Sequence, residues 1–105
     1  MPVIYEYLGI VISFWSNEHE PIHIHAVYGE TIMKVSFFIE DGIINQIKYE
    51  DVGFKKFNKA KLKQLKDFIS VYQYSIIYAW NQVFELNVQI QKVRITKRIK
   101  NGNKS

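Results

Sequence analysis

Eight apolar residues, Leu62, Leu65, Ile69, Tyr72, Ile76, Ala79, Val83 and Leu86, recur at spacings of three and four in a chain of 105 residues. That stripe lies along one side of an α-helix of roughly 25 residues, on the order of 40 Å long. Asn58 stands where a helix N-cap is expected, and the stretch from Ser70 to Ser75 is where so long a helix would kink. Phe68, Ile77, Trp80 and Phe84 add a second apolar edge to the C-terminal half. A sheet already served by the first stripe cannot cover that edge as well. A homodimer with twofold symmetry, joined through Ile77, Trp80 and Phe84, is therefore expected. From Phe68 to Phe84 there is no charged residue. Ser70, Gln73, Ser75, Asn81 and Gln82 interrupt the run, so a buried helix is expected and not a membrane span.

The first half of the chain reads as strands. Ile4 to Phe14 is rich in Ile, Val and Tyr, with Gly9 as a bulge. Pro21 favours an extended approach to a second strand, Ile22 to Tyr28. Thr31 to Ile39 is a third, with Met33, Val35, Phe37 and Ile39 on one face. Asp41-Gly42 turns it into a fourth, Ile43 to Tyr49. Short connections make an antiparallel meander the economical topology. The expected fold is thus α+β: a four-stranded antiparallel meander packed on one long helix. Val93, Ile95 and Ile99 alternate with Arg94, Thr96 and Arg98, adding a C-terminal strand or extended arm. Residues 1–100 form one such domain, and 101–105 a disordered tail.

Charge divides the chain. Residues 1–51 carry eight acids against Lys34 and Lys48, a net of −6, and residues 52–105 carry twelve bases against Asp67 and Glu85, a net of +10. Lys55, Lys56, Lys59, Lys61, Lys63 and Lys66 gather around the helix start, where they oppose the helix dipole. Lys92, Arg94, Lys97, Arg98, Lys100 and Lys104 occupy the arm. Clusters of this kind hold a phosphate backbone without reading its sequence. The bland alternative is a solvated basic surface. Cysteine is absent, which excludes disulfides and thiol chemistry and fits a cytoplasmic setting. The residues from Met1 to Glu6 have no basic leader character, and no membrane association is expected.

All three histidines fall in the segment His19-Glu20-Pro21-Ile22-His23-Ile24-His25. If Ile22, Ile24, Ala26 and Tyr28 face the core, His23 and His25 share the opposite face. His19, brought round by the Pro21 turn, can reach the same spot. Glu18, Glu20 and Glu30 are carboxylate candidates nearby. Three uses are open. His19, His23 and His25 could ligate a divalent transition metal. They could serve as general acid and base on a phosphodiester. Or they could be structural, bonding across strands. No spacing of the His-Glu-x-x-His type selects the metal.

The run from Gly9-Ile10-Val11-Ile12 through His19-x-Pro21-x-His23-x-His25-Ala26-x-Tyr28-Gly29 resembles a small bacterial family, domain of unknown function 4160. Its members share a Met-Pro start, a Gly-Ile-x-Ile strand, a His-x-Pro-Pro-His-x-His-x-x-Tyr-Gly run and a long helix with a late Trp, here Trp80. Ile22 replaces the usual second proline and Ile24 an aromatic. Neither change removes a polar group. The resemblance implies a site at the histidine run and a genomic setting beside another small gene, as in toxin–antitoxin pairs.

Together these features favour a nucleic-acid-directed component of a toxin–antitoxin-like pair, in its sharpest form an RNA-cleaving toxin. His19, His23 and His25 would be its catalytic residues, and Lys92, Arg94, Lys97, Arg98 and Lys100 would hold nucleic acid, RNA ahead of DNA. The rival is a non-enzymatic, metal-binding or metal-free interaction module for a cognate partner protein. The arm separates them: on the histidine face it favours an anionic substrate, on the opposite face a binding module.

Overall fold

Between Tyr7 and Ile10 the chain reverses through Leu8 and Gly9, with φ of 50° and 86°. A two-residue hairpin loop with both φ positive matches the right-handed twist of the strands it joins. The single strand expected over Ile4 to Phe14 is therefore two. Gly9 serves the turn and not a bulge, and a Cβ there would also meet Tyr28 Cε1 at 3.2 Å.

The computed structural model describes residues 3–14, 21–86 and 90–99. Within them lie six strands: Val3–Tyr7 (β1), Ile10–Phe14 (β2), Ile22–Tyr28 (β3), Thr31–Glu40 (β4), Ile43–Val52 (β5) and Val93–Ile95 (β6). One α-helix, Lys59–Trp80 (α1), runs on into a π-helical turn, Asn81–Glu85. The strands form one sheet in the order β5-β4-β3-β2-β1-β6. Successive strands from β1 to β5 pair antiparallel, and β6 lies parallel to β1. The four-stranded meander is thus corrected to a six-stranded mixed sheet. The α+β class holds. Two causes account for the difference: the hairpin at Leu8-Gly9 adds one strand, and α1 carries the chain back across the sheet so that β6 can join β1 in parallel.

Asn58 caps α1 as its position suggested, its side chain accepting from the Lys61 amide at 3.0 Å. The α-helical pattern is unbroken through Ser70 to Ser75. The irregularity comes later, where the Leu86 amide donates to the Asn81 carbonyl at 3.1 Å, five residues back. An i→i+5 turn rotates the residues after Trp80 relative to the stripe before it. Phe84 meets Phe14 at 5.4 Å between ring centroids and Trp80 at 5.5 Å. Trp80 is only 8% exposed. Phe68, Trp80 and Phe84 of the second apolar edge thus pack within the chain, and Ile77 stays partly exposed.

One face of the sheet supplies Tyr5, Tyr7, Ile10, Ile12, Phe14, Ile22, Ile24, Ala26, Met33, Val35 and Phe37 to the core, where they meet Leu65, Phe68, Ile69 and Ile76 of α1. A register shift between Val3 and Tyr5 lets Ile4 and Tyr5 both turn inward. Four of the six lysines around the helix start have intramolecular partners. Lys61 Nζ donates to the Leu8 carbonyl at 2.7 Å and lies 4.7 Å from the Tyr28 ring centre. Lys66 lies over Tyr49, Lys63 pairs with Asp67, and Lys55 pairs with Glu30. Burial pushes the Tyr49 hydroxyl up to about 12. No described helix is long and apolar enough to cross a membrane.

Candidate functional site

Along β3 the buried residues Ile22, Ile24 and Ala26 alternate with His23, His25 and Val27. Since α1 packs on the first set, the histidines stand on the helix-free face, as the alternation predicted. The β3–β4 register then assigns their neighbours: His23 is opposite Ser36 and His25 is opposite Lys34. On the other side His25 is opposite Ser13 of β2. Ser13, Lys34 and Ser36 escaped the sequence reading, yet a signal for them existed. Tyr28 pairs with Thr31 around a two-residue loop, and that loop alone dictates every partner along the hairpin.

Ser36 is 2% exposed, and its Oγ is hydrogen-bonded to His23 Nδ1 at 2.8 Å. That bond occupies one ring nitrogen and orients the other. His25 is held below the usual imidazole range, first by burial, then by Lys34 and by His23. The neutral form of His25 is therefore favoured, and its Nε2 is buried. Residues two apart on a strand are roughly 6.6 Å apart along it, so the two imidazoles can flank one small group.

Protonating His25 opposes folding. Its folded pKa lies below its unfolded value, so the unfolded chain binds the proton more tightly. The stability this supplies is complete above pH ~6.5 and is lost as pH falls from there through the folded pKa. Urea midpoints should drop between pH 7 and 5, and His25→Gln should flatten that drop. An unchanged slope in the variant would show that His25 does not carry the effect.

The same row-by-row reading extends to the arm. Arg94 pairs in register with Glu6, Glu6 with Val11, and Val11 with Val27. Arg94 therefore stands on the face that carries His23 and His25, three strands or about 14 Å from β3. Lys92 and Arg94 both reach Glu6 Oε1, at 3.1 and 3.2 Å. Their hydrogen bonds hold the Glu6 carboxyl below its usual range. These two bases thus anchor β6 as well as adding positive charge. Lys97 and Arg98 are exposed beyond β6. His19, Glu18, Glu20, Lys100 and residues 101–105 lie outside the described residues.

Among the described residues no group of three or more metal-ligating side chains converges. His23 and His25 are two donors, one ring nitrogen is engaged by Ser36, and the Lys34 side chain raises positive charge beside His25. His23 and His25 are two of the three histidines expected to ligate a metal, and His19 is not among the described residues. Glu30 sits at the β3–β4 turn and pairs with Lys55.

Beside the histidine row runs an apolar one. Val11, Val27, Ile32 and Val52 follow one another across β2, β3, β4 and β5 on the same face. Lys48 and Glu50 add an ion pair of 3.7 Å on β5.

A family model described as a domain of unknown function, DUF4160, matches residues 9–81. That span runs from the β1–β2 turn to the end of α1 and contains the whole histidine run. No curated protein and no solved structure matches the chain.

Proposed function

The chain belongs to the DUF4160 family, and from its own surface we propose that it is an RNA-directed component of a toxin–antitoxin-like pair. The observation that carries this reading is the shared face: His23, His25 and Lys34 lie on the same side of the sheet as Arg94, away from α1. A helix-free sheet face with half-buried imidazoles at its centre and exposed bases toward its rim suits a single strand whose phosphates need charge.

In the cleaving form, His25 is the base and His23 the acid. His25 takes the proton of a ribose 2′-hydroxyl, whose oxygen attacks the adjacent phosphorus. The bond from phosphorus to the 5′-oxygen breaks, and His23 in its protonated form supplies the proton to that oxygen. The products are a 2′,3′-cyclic phosphate and a 5′-hydroxyl. Ser36, held against His23, fixes the ring for this role.

Titration of a single-stranded RNA oligomer across salt concentrations tests the reading. For ~4–6 phosphate contacts the log–log slope should lie near −3 to −4, and Lys34→Gln or Arg98→Gln should each flatten it by about 0.7. His25→Gln should leave binding in place and remove cleavage. Absence of RNA binding at low salt would overturn the proposal. Binding without cleavage would keep the holding role and discard the acid–base pair. A second reading, a non-enzymatic module for a cognate protein, is favoured by the apolar row of Val11, Val27, Ile32 and Val52 on the same face. Loss of protein capture on Ile32→Lys, with RNA binding absent, would put that reading first.

A further inference from the structure

The solvent-facing side of α1 has an order of its own. Lys63, Asp67, Ser70, Tyr74 and Tyr78 recur at spacings of three and four and form one stripe, which Asn81 continues, and Glu85 follows through the π-helical turn. Lys63, Ser70, Tyr74, Tyr78, Asn81 and Glu85 are exposed. Charge sits only at its two ends, Lys63 with Asp67 at one and Glu85 at the other. Between them Tyr74 and Tyr78 are 48% and 65% exposed, with Val71 beside them at 53%. In a chain with 23% charged residues, a solvent-facing helical stretch this long without one is unusual. Tyr74 and Tyr78 form a ridge with an open groove on each side, of about 450 Å³ toward β1 and β6 and about 420 Å³ toward β4. The Tyr74 hydroxyl accepts from the Ile44 amide at 3.0 Å, which steadies the ridge.

We propose that this stripe is a twofold interface between two copies of the chain, with the α1 helices antiparallel and Tyr74 at the axis. Charge argues for a second copy over another partner. Antiparallel pairing about Tyr74 sets Lys63 of each helix against Glu85 of the other, Asp67 against Asn81, and Ser70 against Tyr78. Lys63, already paired with Asp67 of its own helix, would meet Glu85 of the other copy at both ends, and no charge is buried at the centre. The helix dipoles also run in opposite directions. A patch that must meet itself cannot carry a like-charged centre, and this one carries none. Each ridge can lie in a groove of the other, as helices pack elsewhere.

The contact is modest. Lys63 to Glu85 spans about 33 Å, and a strip one helix wide covers on the order of 400 Å² per copy. Standard interfaces bury ~800 Å² per partner, so association in the range of tens of micromolar is expected. This surface is on the opposite side of the molecule from His23 and His25, and the inference does not depend on the RNA reading.

Sedimentation equilibrium of the full chain from about 10 to 500 μM should show the mass rising from 12.5 kDa toward twice that value. Tyr78→Glu, at an exposed position, should weaken association at least ~10-fold with an unchanged circular dichroism spectrum. Lys63→Glu should weaken it too, and Lys63→Glu combined with Glu85→Lys should restore it. A chain that stays at 12.5 kDa throughout would overturn the proposal. So would association that Tyr78→Glu leaves intact, which would place the contact on another surface. Failure of the double reversal to restore association would overturn the antiparallel register.

Discussion

Phe68→Ala is expected to cost the fold about 3–5 kcal/mol, the range for truncating a buried phenylalanine. Phe68 has no exposed surface and holds three tyrosines around it. Its ring stacks on Tyr72 at 4.6 Å and on Tyr7 at 5.2 Å, and meets Tyr5 edge-on at 5.2 Å. These contacts tie the middle of α1 to β1, the strand that carries β6 on its outer edge. Alanine leaves a cavity bordered by rings, of which Tyr7 is held through its hydroxyl by the Ile99 amide, so collapse into it is hindered. A small domain has ~5–15 kcal/mol in total, and the loss is a large part of that. Urea denaturation checks the figure. Phe68→Leu should cost much less, because it retains most of the volume. A loss under ~1 kcal/mol for alanine would mean that this cluster is not the centre of the core.

Removing residues 96–105 should destabilise the fold by about 2–4 kcal/mol. The arm beyond β6 is rich in lysine and would be dispensable if it were only a solvated tail. Instead the Ile99 amide donates to the Tyr7 hydroxyl at 2.9 Å, and Tyr7 has no exposed surface. Truncation strands that hydroxyl, at ~1–3 kcal/mol for a buried polar group left without its partner. It also uncovers the apolar surface against which Ile99 packs, for about another 1 kcal/mol. Thermal melts of the shortened chain decide the matter, and an unchanged midpoint would contradict the Tyr7 contact. The consequence for the RNA experiment is direct. Truncation would confound lost binding with lost fold, whereas Arg98→Gln removes charge and spares the anchor.

The histidine face was legible because a strand's alternation is strict. Once Ile22, Ile24 and Ala26 are seen as core residues, His23 and His25 have one face left to them. Asn58 as cap, Asp41-Gly42 as turn and the apolar stripe of α1 were legible for similar reasons, each being a local rule with little competition. Leu8-Gly9 was not. Its tight turn needs positive φ at a leucine, which costs roughly 1–2 kcal/mol locally and is tolerated only because the flanking strands pair. Nothing in the residues themselves announces that. The apolar edge at Trp80 and Phe84 was read as facing outward for another reason. Periodicity near 3.6 cannot foresee a π-turn, and the turn at Asn81–Glu85 delivers Phe84 onto Phe14 instead of outward.

The sequence by itself thus determined the element types, the core face of β3 and β4, the helix and its cap, and the pairing of two histidines on one side. Tertiary structure decided the rest: that β1 and β2 are separate strands and that β6 returns parallel to β1. It also decided that Lys92 and Arg94 meet Glu6 on the histidine face, and that Tyr74 and Tyr78, not Trp80, remain in solvent. The physical reason is range. Alternation, capping and turn chemistry act over two to four residues and are written locally. The contact between Glu6 and Arg94 joins residues 88 apart and depends on where α1 leaves the chain, which no local rule encodes.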